Sequence, residues 1–315
     1  LVGSEMCIRD RNLSGKSGDV ILLQQRFLRD LLLFMLVVLI NVYLGIYIDS
    51  EVLKKNCFPY ETAFENFRDE EVSEEVINSF LYDSEPMEEN AITEQKIKSI
   101  KYADFAKLSE YLAMYFALNN TCSDSDLLEE NISFVKEHQP EKFERIQSKI
   151  EAMWTDAVLF PVGAIENEPG ATVDFANSWR QSRTFGGDRF HEGCDIMASV
   201  NQRGIYPIYS VSDGVVENIG WLRLGGYRIG IRSRHGAYFY YAHLSSYERL
   251  REKGTLVDAG EILGFMGNTG CDPGKAEGKI PVHLNFRIYI RMPCTDAMNV
   301  NPYWVLRAVQ KKIIN

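Results

Sequence analysis

The chain has 315 residues, of which 45% are hydrophobic and 25% charged, and it carries a formal net charge of −10. This length and composition predict one sizeable folded core and a second region. Acidic residues concentrate in residues 51–155, which contain 23 acidic and 11 basic side chains. No basic face stands out elsewhere, which argues against nucleic acid as a partner, because such proteins cluster Lys and Arg against phosphates.

The first eleven residues, Leu1–Arg11, resemble a translated sequencing-adapter read, and the chain has no methionine at position 1. We therefore exclude residues 1–11 from fold prediction and expect the natural start codon to be missing. Residues 12–30 are expected to form a short cytoplasmic segment.

An apolar stretch from Leu31 to Ile48 is interrupted only by Asn41. As a helix it would be about 27 Å long, close to the ~30 Å hydrocarbon core of a bilayer. Arg26 and Arg29 precede it and acidic residues follow, so the positive-inside rule places the N-terminus in the cytoplasm. A cleaved signal peptide and a buried soluble helix are the alternatives, but no A-x-A-like cleavage site follows. The sequence predicts a single-pass membrane anchor over 31–48, with the C-terminal part extracytoplasmic.

Residues 49–90 are acidic and interrupted by Pro59 and Pro86, which is typical of a solvated spacer. Residues 91–157 are predicted to be helical. Apolar residues recur there at helical spacing in two runs: Phe105, Leu108, Leu112 and Tyr115, then Phe143, Ile146, Ile150 and Met153. Pro140 either separates the two runs or opens the second helix at its first turn. We expect a helical stalk, with a partner-docking module or a cover over a cleft of the C-terminal part as alternatives.

From residue 158 the sequence changes to short strands separated by glycines, such as Gly204–Val211 and Tyr227–Arg232. Gly225 and Gly226 lie between two of these runs and predict a hairpin turn. The pattern indicates an antiparallel β-domain over 158–315. The expected fold class is therefore α+β, with a mainly antiparallel C-terminal domain preceded by the membrane helix and the helical region.

Two short stretches carry candidate metal ligands. His191 and Asp195 are four residues apart, but the intervening Gly193 favours a loop that enters a strand over one helix face. Imidazole and carboxylate groups bind zinc, and a catalytic zinc site has three protein ligands and one open position. About ninety residues later, His283 and Asn285 lie two apart in a strand-like run, so they share a face. We expect all four side chains to converge.

A third histidine, His243, ends an aromatic, strand-like run, where a lone histidine is more often structural. Cys194 neighbours Asp195 on an extended segment and should face away from it. With Cys7 set aside, an odd number of cysteines remains, so at least one should be free or intermolecular: Cys57, Cys122, Cys194, Cys271 and Cys294. Gly254–Gly264 resembles half of a lipoyl or biotinyl carrier domain, but the chain has no matching hairpin with an exposed lysine.

The arrangement resembles the lysostaphin/LytM-type zinc metallopeptidases from about Phe160 to Val305. Seven stretches in the same order carry the resemblance: Phe160–Val162, Phe185–Ala198, Tyr206–Val216, Gly225–Gly230, Tyr241–Leu244, Gly260–Gly270 and Val282–Leu284. The resemblance implies Zn²⁺ as cofactor, His191 and Asp195 as zinc ligands, and His243 and His283 as catalytic residues. It also implies a LytM-like β-sheet core and a peptidoglycan peptide as substrate.

Asn285 departs from the family, whose motif has a zinc-binding histidine at this position. An amide oxygen is a weak zinc ligand and suits calcium or magnesium better. Three outcomes follow: weakened zinc binding, recruitment of another ligand, or loss of catalysis with retained binding. We therefore predict a membrane-anchored peptidoglycan metalloendopeptidase that cleaves through a zinc-bound water. The alternative is a catalytically degenerate domain that binds peptidoglycan or acts as a scaffold.

Overall fold

The computed structural model describes residues 14–55, 58–69, 72, 105–118, 125–165, 170–184, 187–270, 280–291 and 297–310. The chain divides into two compact units, residues 1–56 and 57–315. The predictions for residues 1–13, for most of 70–104, and for Cys57, Cys122, Cys271 and Cys294 lie outside the described residues.

The described part of the first unit is one long helix, α1 (Ser14–Lys55). Its segment Gln24–Val52 is long and apolar enough to cross a membrane, and no part of the apolar window is buried inside the protein. The predicted span 31–48 lies within this segment, and the helix continues beyond it at both ends. A signal sequence near the N-terminus would meet the same criteria of length and composition.

The second unit contains helices on the N-terminal side of the sheet and one at its C-terminal end. They are α2 (Tyr60–Asp69), α3 (Phe105–Ala117), α4 (Ser125–His138), α5 (Pro140–Ile150) and α6 (Tyr303–Val309). A π-helical turn, Glu151–Thr155, continues α5. Pro140 opens α5 in its first turn, where a missing N–H breaks no helical hydrogen bond. Phe143, Ile146 and Ile150 form the buried face of α5, at the predicted helical spacing.

The predicted solvated spacer over 49–90 is wrong for residues 58–69. Phe58, Ala63 and Phe67 are buried in the same hydrophobic core as the sheet. The end of α2 contacts the β-domain, since the Arg68 carbonyl oxygen accepts a hydrogen bond from the backbone N–H of Asn301 at 3.1 Å. An acidic composition does not prevent burial when the apolar residues of a helix share one face. The helices therefore share one hydrophobic core with the sheet as part of the second unit, in place of the separate stalk that we expected.

Within the described residues, the strands form one ten-stranded sheet and a two-stranded ribbon, and every pairing is antiparallel, as predicted. Their bounds are β1 (Val173–Phe175), β2 (Ser182–Arg183), β3 (Arg189–Phe190), β4 (Cys194–Ala198), β5 (Pro207–Tyr209), β6 (Gly214–Leu222), β7 (Gly226–Ser233), β8 (Tyr238–Tyr247), β9 (Leu256–Val257), β10 (Ile262–Met266), β11 (His283–Ile290) and β12 (Met298–Val300). The main sheet has the order β1-β4-β11-β8-β7-β6-β9, with β10 paired to β5 and β8 and β12 paired to β11, while β2 and β3 form the ribbon.

One face of the central strands β4, β11 and β8 packs on the core, and the other face is polar. On β11, Leu284, Phe286 and Ile288 are fully buried in the core. The alternation of a strand then directs the residues that alternate with these three to the other face. These are His283, Asn285 and Arg287.

Candidate active site

A cleft of about 810 Å³ lies over the polar face of the sheet. Its walls come from β3, β4, β8, β11 and the turn between β6 and β7. The residues singled out in the sequence all line it: His191, Asp195, His243, His283 and Asn285. His138 and His235 do not line it.

His191 and Asp195, here called the ligand pair, are joined by a tight turn between β3 and β4. His191 is 2% exposed, and its Nε2 lies 3.2 Å from Asp195 Oδ1. The turn needs glycine at position 193, because a Cβ there would lie 2.7 Å from both Arg287 Cγ and the Phe286 carbonyl oxygen. Cys194 is fully buried in the core, on the opposite face of the strand.

The Asp195 carboxyl is ionised in this setting. Burial raises its pKa, but hydrogen bonds and charge interactions with His191, the charge of His283 and a hydrogen bond from Asn285 outweigh burial. The net result is a pKa well below the usual range for aspartate. Asp195 is therefore a carboxylate and can only accept hydrogen bonds.

Strand register brings Asn285 directly opposite Asp195. In the β4–β11 pair, Asn285 faces Asp195 and His283 faces Met197. Side chains of directly opposed residues in an antiparallel pair are close neighbours. Two residues at i and i+2 on β11 thus reach the ligand pair from one side, and Asn285 is only 4% exposed.

His243 lies in an irregular part of β8. The β7–β8 pairing gains one residue on β8 between Tyr241 and Leu244, and His243 has a φ of 64°. A bulge of this kind redirects a side chain, and strained backbone of this kind clusters at functional sites. The His243 ring centroid lies 4.5 Å from that of His283. We call His243 and His283 the histidine pair.

Both rings of the histidine pair are fixed by backbone carbonyls. His243 Nδ1 donates to the Thr269 carbonyl at 2.6 Å, and His283 Nδ1 donates to the Pro281 carbonyl at 2.8 Å. A carbonyl only accepts, so Nδ1 carries the hydrogen in each ring and Nε2 has the lone pair of the neutral form. Burial, followed by the neighbouring His283, lowers the pKa of His243 to about 4. His243 is therefore neutral near pH 7 and can accept a proton.

The ligand pair fits a zinc ion, but Asn285 as placed does not. Ligand atoms of a tetrahedral zinc lie roughly 3.3 Å apart for bonds of 2.0–2.1 Å, and His191 Nε2 and Asp195 Oδ1 match that spacing. Asn285 instead turns its Nδ2 to within 2.7 Å of both atoms, and an amide NH₂ is no metal ligand. Within the described residues, no group of three or more His, Cys, Asp or Glu side chains is arranged to hold a metal ion.

Sequence reasoning missed the arginines of this cleft. Arg183 Nη2 donates to Asp195 Oδ2 at 2.8 Å, and Arg287 Nε donates to Asn285 Oδ1 at 2.7 Å. Arg287 could have been found, because it follows Asn285 by two residues on the same strand face. Arg183 gave no such signal, because the β2–β3 ribbon that carries it has only two residues in each strand.

Comparison with known proteins agrees with this geometry. Residues 189–302 match the model of peptidase family M23. The L-Ala–D-Glu endopeptidase of Bacillus subtilis is 38% identical over 137 residues, which are 44% of this chain and 40% of that protein. This chain therefore spans less than half the length of that relative.

A crystal structure from Ruminococcus gnavus, provisionally named glycyl-glycine endopeptidase lytM, superimposes with a TM-score of 0.59 and 34% identity. The match covers 78% of this chain and 98% of the R. gnavus chain, so it includes helices as well as the sheet. With the motifs, the antiparallel sheet and the cleft all in agreement, the chain belongs to peptidase family M23.

Proposed function

We propose that this chain is a cell-wall endopeptidase that hydrolyses a peptide bond of peptidoglycan. The observation that carries the proposal is the cleft in which the ligand pair and the histidine pair converge. The two relatives that carry endopeptidase names, at 38% and 34% identity, support it.

The histidine pair supplies the proton transfers. With Nδ1 held by a carbonyl, the neutral His243 can take a proton from an attacking water through Nε2. His283, whose ring is held in the same way, can donate a hydrogen bond through Nε2 when protonated and so stabilise a developing oxyanion. Fixed ring orientations reduce the reorganisation that these steps require.

The substrate of the cleft is proposed to be an acidic peptide. Four arginines and two acidic residues line it: Arg183, Arg189, Arg223, Arg287, Glu192 and Asp195. Arg183 pairs with Asp195, and Arg287 lies near Glu192. Arg189 and Arg223 form no ion pair with any described residue, and Arg189 Nε is buried without a described hydrogen-bond partner. They stand on the β2–β3 ribbon side and on the β6–β7 turn, so substrate carboxylates could be bound from two sides.

We further propose that α1 anchors the protein in the cell membrane, with the second unit outside. Its segment Gln24–Val52 has the required length and composition. Arg26 and Arg29 at its N-terminal end favour a cytoplasmic N-terminus. Protease treatment of intact cells without their wall should degrade the second unit and leave α1 protected. Protection of the second unit would contradict the proposed topology.

A wall-peptide-binding module without hydrolysis is the second candidate, and the placement of Asn285 favours it. If Asn285 never completes a metal site, the cleft retains its arginines and can still bind an acidic peptide. In this case peptidoglycan would retain the protein, no peptide would be released, and His191→Ala would change neither result.

The test is to incubate the full-length chain in detergent with purified peptidoglycan and to identify new amino termini by mass spectrometry. The parent should release peptides, whereas His191→Ala should lose turnover and keep its spectroscopic melting transition. His138→Ala is the matched control, because His138 lies on α4 and does not line the cleft. A parent that binds peptidoglycan but releases nothing would replace the endopeptidase proposal with the binding module.

A further inference from the structure

The Asn285 amide is fully hydrogen-bonded without a metal. Its NH₂ group donates to Asp195 Oδ1 at 2.7 Å, and its Nδ2 also lies 2.7 Å from His191 Nε2. Its oxygen accepts from Arg287 Nε at 2.7 Å. The NH₂ group, which is no metal ligand, therefore faces both atoms that would otherwise bind zinc.

Two partners set the orientation of the Asn285 amide, because one can only donate and the other can only accept a hydrogen bond. Arg287 Nε can only donate and therefore faces the amide oxygen. The Asp195 carboxylate can only accept and therefore faces the NH₂ group. Turning the amide over would place donor against donor at Arg287 and oxygen against oxygen at Asp195. The amide oxygen, which is the only atom of Asn285 able to bind zinc, is thus held away from the ligand pair.

Arg287 is itself held in place. Its Cγ lies where a Cβ on Gly193 would clash at 2.7 Å, so its stem packs directly on the turn of the ligand pair. Its Nη1 donates to Tyr289 Oη at 3.2 Å and lies 3.4 Å from Glu192 Oε2, and its guanidinium lies 5.6 Å from the Tyr240 ring centroid. Several contacts therefore hold Arg287 in place, and they would be disturbed if its Nε released the Asn285 oxygen.

Arg183 completes the network on the other side. Its Nη2 donates to Asp195 Oδ2 at 2.8 Å, so both carboxylate oxygens of Asp195 have donors. His191 Nδ1 lies 3.2 Å from the Ser178 carbonyl oxygen and 3.1 Å from Arg183 Nη2, so the ring has polar neighbours at both nitrogens. The ligand pair therefore has hydrogen-bond partners and a neighbouring positive charge without any metal ion.

We propose that Arg287 is a positioning residue that fixes the Asn285 amide in the orientation opposing zinc, and so sets the metal affinity of this site. Zinc can then bind through three protein ligands only after Arg287 Nε releases the amide oxygen. The proposal concerns metal affinity and stands whether or not the chain hydrolyses peptidoglycan.

The decisive variant is Arg287→Met, which retains much of the side-chain volume and removes the donor. Zinc affinity of the full-length chain in detergent is measured by competition with a chromogenic chelator. We expect affinity to rise about tenfold to hundredfold, the factor that corresponds to a hydrogen bond to a charged group. Arg223→Met is the matched control, because it removes the same charge from the same cleft without touching Asn285, and it should raise affinity no more than about threefold.

A double-mutant cycle separates orientation from charge. In Asn285→Asp the two side-chain oxygens are equivalent, so one can face Arg287 while the other faces the ligand pair. This variant should bind zinc more tightly than the parent, and adding Arg287→Met to it should give no further increase. Because Asn285→Asp retains Arg287, it also tests the site if Arg287→Met fails to fold, which a melting curve would reveal.

Three results would overturn the proposal. One is an equal rise in affinity from Arg287→Met and Arg223→Met, which would show an effect of charge alone. Another is an equal effect of Arg287→Met in the parent and in the Asn285→Asp variant. The third is a parent that already binds zinc as tightly as Asn285→His, because the amide would then not oppose the metal. Loss of hydrolysis in any variant bears on the proposed function and not on these affinities.

Discussion

The two halves of the cleft share strand β11 but differ in how their polar atoms are used. In the histidine pair, carbonyls hold Nδ1 of each ring and Nε2 forms no hydrogen bond to a described residue. In the ligand half, His191, Asp195 and Asn285 direct their polar atoms at one another and at two arginines. One half therefore leaves two ring nitrogens without a hydrogen bond to a described residue, while the other is closed by internal hydrogen bonds.

The difference shows how strongly the residue type at a single position can change a buried polar site. Asn285 and His283 stand two residues apart on β11 and reach the same cleft. An imidazole at position 285 could offer a lone pair to a metal, whereas the amide offers two hydrogens and one oxygen. The NH₂ group faces the ligand pair and donates to Asp195, while the oxygen accepts from Arg287, so this half is hydrogen-bonded without a metal. Substitutions in one half leave the other half as the reference, and substitutions at the rim affect both.

The largest effect is expected from His283→Ala in the histidine pair. Removal of a positioned acid–base group lowers rates by about 10²- to 10⁴-fold. Peptide release should fall by that factor, while retention of the chain on peptidoglycan changes little, because the arginines remain. Release rates and pull-down on insoluble peptidoglycan measure the two quantities. Equal loss of both would mean that His283 serves binding and not proton transfer.

The histidine pair should also make stability depend on pH. The pKa of His243 is about 4 in the folded chain against about 6.5 when unfolded, so between these values the unfolded chain binds a proton that the folded chain does not. The stabilisation from neutral His243 is complete above about pH 6.5 and is lost as the pH falls towards 4, by about 3 kcal/mol. Denaturant unfolding at pH 7.5 and pH 4.5 measures it.

His243→Asn is the variant to compare, because asparagine tolerates the positive φ of this position. The loss of unfolding free energy between the two pH values should be smaller in this variant than in the parent. An unchanged loss would assign the pH dependence to other groups.

In the ligand half, Gly193→Ala should reduce stability. The added Cβ would lie 2.7 Å from the Phe286 carbonyl oxygen, which cannot move freely, and 2.7 Å from Arg287 Cγ. Overpacking of this kind costs about 1–3 kcal/mol. Gly170→Ala is the control, since nothing lies within 4 Å of a Cβ at that position. If the two variants have the same unfolding free energy, Arg287 does not pack on the turn as described.

The sequence predicted which side chains converge in the cleft more completely than the contacts that orient them. Period-two alternation was enough to place His283 and Asn285 on one face, and the glycine between His191 and Asp195 indicated a turn that enters a strand. The bulge that aims His243 depends on pairing between β7 and β8, which no local pattern reveals. The roles of Arg183 and Arg287 depend on the orientation of one amide, and that orientation is a property of the assembled site.

The helical region shows the same limit at the level of the fold. The spacing of Phe143, Ile146 and Ile150 predicted α5 and its buried face. The acidic composition around residue 60 suggested a spacer, yet Phe58 and Phe67 are buried in the common core. Composition averages over a segment, whereas burial depends on the few residues that share a helix face and on the surface available to cover them.

The smallest effect is expected at the rim of the cleft, which is formed here by Arg189 and Arg223 and is shared by both halves. Arg189→Glu and Arg223→Glu should each weaken binding of an acidic wall peptide several-fold at low salt, because both arginines line the cleft without an ion pair to a described residue. The effect should shrink as ionic strength rises, since charges near the surface are screened over about 10 Å at 0.1 M salt. Arg145→Glu, an exposed change on α5, is the control of equal charge. Equal weakening by Arg145→Glu would indicate a general effect of net charge. Weakening confined to Arg189 and Arg223 would show that the rim recognises the peptide by its carboxylates, independently of which half carries out the chemistry.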